Sequence, residues 1–341
     1  MKNNNYEEFD LVKYSIYTDK LKLGEKIQVI LIADLHNYLL NKKNSLSLAS
    51  AIKSRNPHHI VIAGDIIQGR KWENKKILSS INNFLKDISE VAPVFIVRGN
   101  HDLVGGNNKR IDYFKSLGIK DKVYALDNDF VTYDNFDIIG FNPSEKTYDL
   151  GFQQHGIAHD RFIKEYMEKG IKPQKNKHIT EFVGHSPYLF AKSENGIGLE
   201  DLKYVDIIYT GHMHNGYYKS STIKKNPDKY LDDGYVERSY SFNKDGKLCS
   251  FNPFFFSKTD LCRGVIYIDD DSMKRILQLR NNHFYVYDND KWNIIDEDDA
   301  RKLIKDNNYH PMVIAGGIRK FFRLNLPNDK PEITEVIYEG K

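Results

Sequence analysis

Short apolar runs alternate with longer amphipathic stretches in the amino-terminal part of the chain. Residues 27–33, 59–63 and 94–97 are apolar runs rich in β-branched side chains, a pattern typical of buried strands. Between them, residues 44–55 and 73–90 carry apolar side chains at helical spacing, which predicts amphipathic helices. The order strand, helix, strand, helix, strand predicts a largely parallel sheet with both faces covered.

The same alternation continues less regularly toward the carboxyl end. Helices are predicted at 111–118 and 158–168, with a short one at 298–305. Strands are predicted within 6–24 (a strand or a hairpin) and at 130–133, 136–141, 181–183, 205–210, 264–268, 284–287, 292–295, 312–315 and 335–338. Because no internal repeat or low-complexity linker is visible, a single domain over residues 1–341 is favoured. The segments 215–260 and 269–310 are interpreted as possible insertions.

Composition and charge narrow the range of partners. The 341 residues are 40% hydrophobic, enough for a sizeable core. Lys and Arg number 50 against 47 Asp and Glu, and this near balance gives no sign of a nucleic-acid or membrane partner. No protein partner is implied, and no apolar run reaches membrane-spanning length.

Cysteine usage bears on the compartment. Cys249 and Cys262 are the only cysteines, and they form neither a disulfide framework nor a CxxC pair. A reduced compartment fits this usage best, although one disulfide stays open. Residues 1–10 are polar and acidic, without the apolar core of a signal peptide. The expectation is a soluble, cytoplasmic protein.

Polar residues able to bind metals follow the apolar runs at their carboxyl ends. They are Asp34, His36, Asp65, Asn100, His101, Asp102, His185, His212 and His214. Because the carboxyl ends of parallel strands meet at one edge of a sheet, these side chains are expected to lie together. Carboxylate, imidazole and amide oxygen suit borderline divalent metals such as Mn, Fe, Co, Ni or Zn.

Each of these residues alone has a simpler explanation. Asp34 or Asp65 by itself would usually be a helix N-cap, and His36 or His185 a hydrogen-bonded loop histidine. These separate explanations do not account for nine such residues at successive strand ends. A metal centre accounts for all of them together.

Taken in order, the motifs are D-x-H, G-D, G-N-H-D, G-H and G-H-x-H, within residues 34–214. This series closely resembles the calcineurin-like metallophosphoesterase family. The resemblance implies an α/β fold (α+β by some schemes) in which two packed mixed β-sheets are flanked by helices, a four-layer αββα sandwich. It also implies a metal-dependent phosphoric ester hydrolase, in which a hydroxide bridging two divalent ions, Mn in the first place, attacks a phosphomonoester or phosphodiester.

The resemblance also assigns roles to the residues. One ion would take Asp34, His36, Asp65 and His214, and the other Asp65, Asn100, His185 and His212. His101 would donate a hydrogen bond to the phosphoryl oxygen or protonate the leaving group, with Asp102 orienting it. No residues for a further cofactor are assigned.

Two alternatives stay open at the sequence level. The same fold also cuts nucleic acid, so a nuclease is the second enzymatic interpretation, although the near-neutral charge favours a small phosphorylated substrate. The third is a non-catalytic scaffold. Such a protein is expected to lose ligands or the acid histidine, and here all are retained.

Overall fold

In a computed structural model of the protein, the described residues are 9–36, 38–68, 74–102, 117, 122–142, 177–185, 205–212, 239–242, 248–252, 264–268, 276–280, 283–288, 291–296, 298–300, 302, 310–315 and 331–340. The strands are β1 (Asp10–Thr18), β2 (Lys26–Ile32), β3 (His59–Ala63), β4 (Val94–Val97), β5 (Val123–Ala125), β6 (Asp129–Tyr133), β7 (Phe136–Phe141), β8 (Ile179–Gly184), β9 (Ile207–Thr210), β10 (Ser239–Phe242), β11 (Leu248–Asn252), β12 (Gly264–Ile268), β13 (Ile276–Arg280), β14 (His283–Asp288), β15 (Lys291–Ile295), β16 (His310–Ile314) and β17 (Glu332–Gly340). The helices are α1 (Lys42–Lys53) and α2 (Lys75–Ser89), with a 3₁₀ turn at Tyr38–Leu40. Residues 298–300 are also helical.

The first sheet has the strand order β1-β17-β2-β3-β4-β5. Strands β2 to β5 run parallel, which confirms the parallel sheet predicted from the apolar runs. Strand β17 lies between β1 and β2, parallel to β1 and antiparallel to β2. The predicted amino-terminal strand is therefore present as β1, but its partner is β17 and not a hairpin neighbour.

The second sheet has the order β15-β14-β13-β12-β16-β9-β8-β7-β6. Strands β7, β8, β9 and β16 run parallel, while the strands outside them pair antiparallel. Both sheets are therefore mixed, as expected for this α/β class. Strands β10 and β11 form a separate antiparallel pair inside the segment 215–260.

The two sheets face each other across an apolar layer. Side chains pointing inward from the first sheet, such as Val29 and Leu31, belong to the same buried cluster as Phe136 and Ile138 of the second. Alternate residues of the first sheet point the other way, because successive side chains of a strand lie on opposite faces. Burial of this kind stabilises the fold by roughly 1.5–3 kcal/mol for each large aliphatic side chain.

A polar cluster also joins the sheets. Glu181 of β8 accepts hydrogen bonds from the hydroxyl groups of Tyr338 and Tyr209 at 2.6 and 3.1 Å. Nε2 of His59, in β3, lies 2.9 Å from Oε2 of Glu181. All these side chains are buried. Since each polar group finds a partner inside the cluster, its burial carries little penalty and fixes one sheet relative to the other.

Helices α1 and α2 cover the outer face of the first sheet. Their apolar residues, including Leu48, Ile52 and Phe84, share a buried cluster with Ile30 and Ile60 of the strands. Asn41 caps α1 and Asn74 caps α2, which sets where the predicted helices begin. None of the helices in the described ranges is both long and apolar enough to span a bilayer.

The described residues thus supply a helix layer and two sheet layers. The helix predicted at 158–168, a candidate for the fourth layer, lies outside the described residues, and of 111–118 only Leu117 is described. Strands β5, β10, β11 and β13 were not predicted. Strand β5 has only three residues, too few for an alternation to be visible.

Candidate metal centre

The carboxyl ends of five parallel strands meet at one edge of the molecule. Asp34 follows β2, Asp65 follows β3, Asn100 follows β4, His185 follows β8 and His212 follows β9. Backbone hydrogen bonds tie the strand ends together within each sheet: Asp34 N–H to the Gly64 carbonyl at 3.0 Å, and Gly211 N–H to the His185 carbonyl at 2.8 Å. The site is therefore built from both sheets.

The backbone at this edge has unusual torsion angles. Asp34, His36, Asp65 and His212 have positive φ values of 53°, 45°, 54° and 70°. Positive φ is uncommon for residues other than glycine and costs free energy, so it persists where the surrounding structure holds it. Such strain is concentrated at functional sites, and here it turns four predicted ligands toward one another.

Two glycines of the motifs are required by close approach. A Cβ atom at Gly99 would overlap the Asp65 carboxylate, and one at Gly211 would lie 2.7 Å from Asp34 Oδ2. Glycine at these two positions therefore lets a neighbouring carboxylate pass next to the backbone. This explains why glycine precedes Asn100 and His212 in the sequence.

Three donor atoms lie at the spacing of ligands on one ion. Asn100 Oδ1 is 2.9 Å from His185 Nε2 and 2.8 Å from His212 Nδ1, and these two nitrogens are 3.1 Å apart. Neighbouring ligands around an ion with metal–nitrogen distances of about 2.1 Å are themselves roughly 3.0–3.4 Å apart. His185 Nδ1 lies 2.8 Å from the Ala63 carbonyl, so Nε2 is the nitrogen that faces the other donors.

Asp65 lies in the middle of the group. Its Oδ1 accepts the backbone N–H of His101 at 2.7 Å. Its Oδ2 is buried and has no hydrogen-bond partner among the described residues, while His185 Nε2 lies 3.4 Å and His36 Nε2 3.8 Å from it. A buried carboxylate oxygen between two imidazole nitrogens fits a position shared by two cations.

Asp34 and His36 complete the described group. Asp34 Oδ2 accepts the backbone N–H of His212 at 2.8 Å, and its Oδ1 is 4.0 Å from His185 Nε2. The rings of His36 and His101 meet edge to face, with centroids 4.9 Å apart. Potential ligand atoms lie within 4.8 Å of one another in two groups, one of Asp34, Asp65 and His185 and one of His36, Asp65 and His101.

The charges of the buried groups are strongly coupled. Burial raises the pKa of Asp65, but the imidazoles of His185, His36 and His101 outweigh it and hold that pKa below its usual range. Burial lowers the pKa of His185, but Asp65 and Asp34 raise it to about 9. In the metal-free protein, a proton on His185 therefore offsets the negative charge of Asp65 and Asp34, as metal cations would.

Asp102 connects the turn after β3 with the turn after β4 through hydrogen bonds. Its Oδ2 accepts the backbone N–H groups of Asp65 and Gly99 at 2.7 Å each, and its Oδ1 accepts that of Ile67 at 3.0 Å. Burial and the negative charge of Asp65 raise the pKa of Asp102, while the N–H groups of Gly99 and Ile67 oppose that shift. Asp102 therefore shapes the turns after β3 and β4.

The His101 ring lies beside Gln68. Gln68 Nε2 is 2.9 Å from His101 Nδ1. The orienting role that the resemblance assigns to Asp102 stays a prediction; its carboxylate accepts the backbone N–H groups of Asp65, Gly99 and Ile67. Gln68 was missed because nothing in its local sequence marks it; the contact depends on a turn 33 residues away.

Asn142 is a second residue that the sequence interpretation missed. Its Oδ1 accepts the backbone N–H of Arg98 at 2.6 Å, directly before the G-N-H-D turn. It follows the apolar strand β7, so the strand-then-polar pattern used for the ligands could have identified it. His214, the remaining predicted ligand, lies outside the described residues.

Two known proteins are similar to this chain in sequence. An uncharacterized metallophosphoesterase of Aquifex aeolicus is 25% identical over 205 residues, covering 60% of this chain and 69% of that protein. An uncharacterized protein of Acanthamoeba polyphaga mimivirus is 26% identical over 211 residues. That match covers 58% of this chain, which spans only 14% of the viral protein.

Solved structures with some likeness are a dimetal phosphatase from Danio rerio, a phosphopantetheinyl hydrolase from Mycobacterium tuberculosis and a nuclease from Pseudomonas putida. The phosphatase is 13% identical, with 76% of this chain and 95% of that chain covered and a TM-score of 0.31. The hydrolase is 14% identical, with 56% and 84% covered and a TM-score of 0.33. The nuclease is 17% identical, with 45% and 59% covered and a TM-score of 0.25.

The family model of the calcineurin-like phosphoesterases matches residues 27–216, more than half of the chain. The matched range contains the carboxyl ends of all five strands that precede the candidate site residues. The chain therefore belongs to the calcineurin-like phosphoesterase family and is a phosphoric ester hydrolase.

Proposed function

We propose that the chain hydrolyses phosphomonoesters, phosphodiesters or both at a centre of two divalent metal ions. The single observation that supports this most strongly is the convergence of Asn100 Oδ1, His185 Nε2 and His212 Nδ1 within 3.1 Å of one another. Electronegative atoms this close repel unless a proton or a cation lies between them. The buried Asp65 Oδ2 beside them extends the same arrangement toward His36.

The donor chemistry supports two sets of ligands. We assign one ion to Asp34, His36, Asp65 and His214, and the other to Asp65, Asn100, His185 and His212. The described members of both sets have nitrogen and oxygen donors and no thiolate, which suits Mn first and also Fe, Zn, Co or Ni. When bound, such ions neutralise phosphoryl oxygens and lower the pKa of water.

The charge of the ligand set supports an anionic substrate. Only Asp34 and Asp65 among the assigned ligands are acidic, because Asn100 contributes an uncharged amide oxygen. Two dications held by two carboxylates keep a net positive charge, which attracts a phosphate group. His101, beside His36 and Asp65, is assigned to donate a hydrogen bond to the phosphoryl group or a proton to the leaving group.

Hydrolysis of 4-nitrophenyl phosphate and bis(4-nitrophenyl) phosphate tests the proposal. Treatment with a chelator should abolish turnover, and Mn²⁺ should restore it. His185→Gln should lower kcat by more than about 100-fold, because loss of outer partners of metal ligands alone costs 10- to 100-fold. His178→Gln is the matched control, since His178 lies just before β8 and His185 just after it.

Two results would contradict the proposal. One is hydrolysis that survives complete removal of metal, measured by elemental analysis of the same sample. The other is equal activity of the His185→Gln and His178→Gln proteins, since only the first removes an assigned ligand.

A small phosphorylated substrate and a cytoplasmic location belong to the same proposal. The near balance of 50 basic and 47 acidic residues supports the first, and the low cysteine content supports the second. A nuclease is the alternative. Cleavage of single- or double-stranded DNA that exceeds turnover of every small ester in a screen would favour it.

A further inference from the structure

His58 and His59 lie where β3 begins, and a nitrogen of one ring faces a nitrogen of the other. His58 Nδ1 is 2.9 Å from His59 Nδ1. Two unprotonated nitrogens this close would repel each other, so a proton or a cation must lie between them. Among the described residues, groups of three potential metal ligands occur only at the candidate metal centre. A proton is therefore the simpler occupant here.

Each ring uses its other nitrogen for a carboxylate. His59 Nε2 lies 2.9 Å from Glu181 Oε2, and both side chains are fully buried. His58 Nε2 lies 3.1 Å from Oδ2 of Asp134, an exposed residue in the turn between β6 and β7. A continuous series of hydrogen-bonding groups therefore leads from the surface at Asp134 to Glu181 between the two sheets.

We infer that the two rings together hold three protons, one of them shared, and form a proton-dependent link between β3 and the β6–β7 turn. Strand β3 belongs to the first sheet, whereas β6 and β7 belong to the second. The inference goes beyond the proposed function and does not rest on it, because neither ring is an assigned metal ligand.

The number of protons decides whether every contact is made. With three, His59 donates from both nitrogens, while His58 accepts at Nδ1 and donates from Nε2 to Asp134. With two, His59 keeps its N–H on Glu181, and His58 has one N–H for either His59 or Asp134. Because water can reach the exposed carboxylate, the contact at Asp134 is the one that is lost.

The neighbouring groups favour the shared proton on His59. Glu181 accepts two tyrosine hydroxyl groups besides facing His59 Nε2, as expected of an ionised carboxylate. Burial lowers the pKa of His58, and Asp134 opposes that shift. His59 therefore donates the shared proton to His58 Nδ1. The titratable side chains that contact the pair or Glu181 within the described ranges are Asp134, Tyr133, Tyr209 and Tyr338.

Nuclear magnetic resonance of the full chain labelled with ¹⁵N-histidine tests the shared proton. Metal is first removed with a chelator, so that no paramagnetic ion broadens the signals. At neutral pH, a coupling across the hydrogen bond should connect the Nδ1 nuclei of two histidines. It should vanish in His58→Phe and stay in His178→Phe, which changes a histidine outside this series. A folded protein without the coupling would overturn the inference.

The contact at Asp134 should depend on pH. As pH rises, the pair loses one proton, so the His58 Nε2 signal should move to the position of an unprotonated nitrogen while the coupling between the rings stays. Loss of the coupling with Nε2 still protonated would overturn the inference. So would an Nε2 that keeps its proton up to about pH 10, far above the ordinary pKa of an imidazole.

Asp134→Asn tests the part played by the carboxylate. Asparagine tolerates the positive φ of 51° at this position and can still accept the Nε2–H of His58, but it carries no charge. The pH midpoint of the Nε2 change should therefore fall, because a nearby negative charge favours the proton. Asp129→Asn removes an equal charge from an exposed position in β6 and should leave the midpoint in place. Equal midpoints in the two variants would contradict the link.

Discussion

At the scale of single residues, the proposal that His185 is a metal ligand implies that a metal ion competes with a proton for this ring. The ring is buried, its Nε2 lies 3.4 Å from Asp65 Oδ2, and the carboxylates raise its pKa to about 9. A metal binds only the deprotonated nitrogen. Near neutral pH, binding of an ion must therefore displace this proton.

Metal affinity should consequently rise with pH between about 6.5 and 9. Release of one proton gives a change of about tenfold in the dissociation constant per pH unit. A competition titration with a coloured chelator and Zn²⁺ at several pH values measures this slope. An affinity independent of pH in this window would show that His185 is already neutral in the metal-free protein.

The stability of the metal-free protein should follow the opposite trend. A histidine with a raised pKa in the folded state stabilises it fully below the unfolded pKa of about 6.5, and this contribution is lost as pH rises through about 9. The metal-free protein should therefore unfold at lower urea concentration at pH 9 than at pH 6.5, measured by circular dichroism.

At the scale of elements, Asp102 joins the turn after β3 to the turn after β4. Its carboxylate satisfies three backbone N–H groups, those of Asp65, Ile67 and Gly99. The residues that carry these donors are buried. The position of Asp65 therefore depends on a side chain 37 residues further along the chain.

Asp102→Ala should lower the free energy of unfolding by about 3 kcal/mol or more, because each buried donor left without a partner costs about 1–3 kcal/mol. Urea denaturation measures the change. Asp129→Ala, at an exposed position in β6, is the control and should stay within about 0.5 kcal/mol of wild type. Equal midpoints for the two variants would show that the turns hold together without Asp102.

At the scale of the whole molecule, the proposed ligands lie at the ends of strands from two sheets. Asp65 and Asn100 follow strands of the first sheet, and His185 and His212 follow strands of the second. The carboxyl-terminal strands β16 and β17 complete the second and first sheets. Both features support the proposal of a single domain over residues 1–341.

A single calorimetric transition that moves upward with metal is therefore expected. An ion that binds only the folded state at 100 times its dissociation constant adds about 2.7 kcal/mol per site. Thermal scans with Mn²⁺ and with a chelator measure the shift, and Ca²⁺ serves as a control cation with a preference for oxygen ligands. Two separate transitions, of which metal moves only one, would contradict the single domain.

Features that depend on short stretches of sequence could be predicted, and features that depend on distant residues could not. Strands β2, β3 and β4 and the meeting of the polar residues that follow them could be predicted, because an apolar run and a polar turn are both visible within ten residues. The partner of His101 could not, because it depends on how far apart two turns lie in space. The pairing of β1 with β17 joins residues more than 300 positions apart, and no local pattern encodes it.

That pairing also has a consequence for synthesis. Strand β17 lies between β1 and β2, so β1 has no neighbouring strand in the first sheet until residues 332–340 have left the ribosome. Until then β2 presents an unpaired edge on the side that β17 will occupy. Strands β2 to β4 can form early, but β1 joins the sheet only after β17 has been made. The growing chain is therefore exposed to wrong pairing of β2 while residues 33–331 are synthesised.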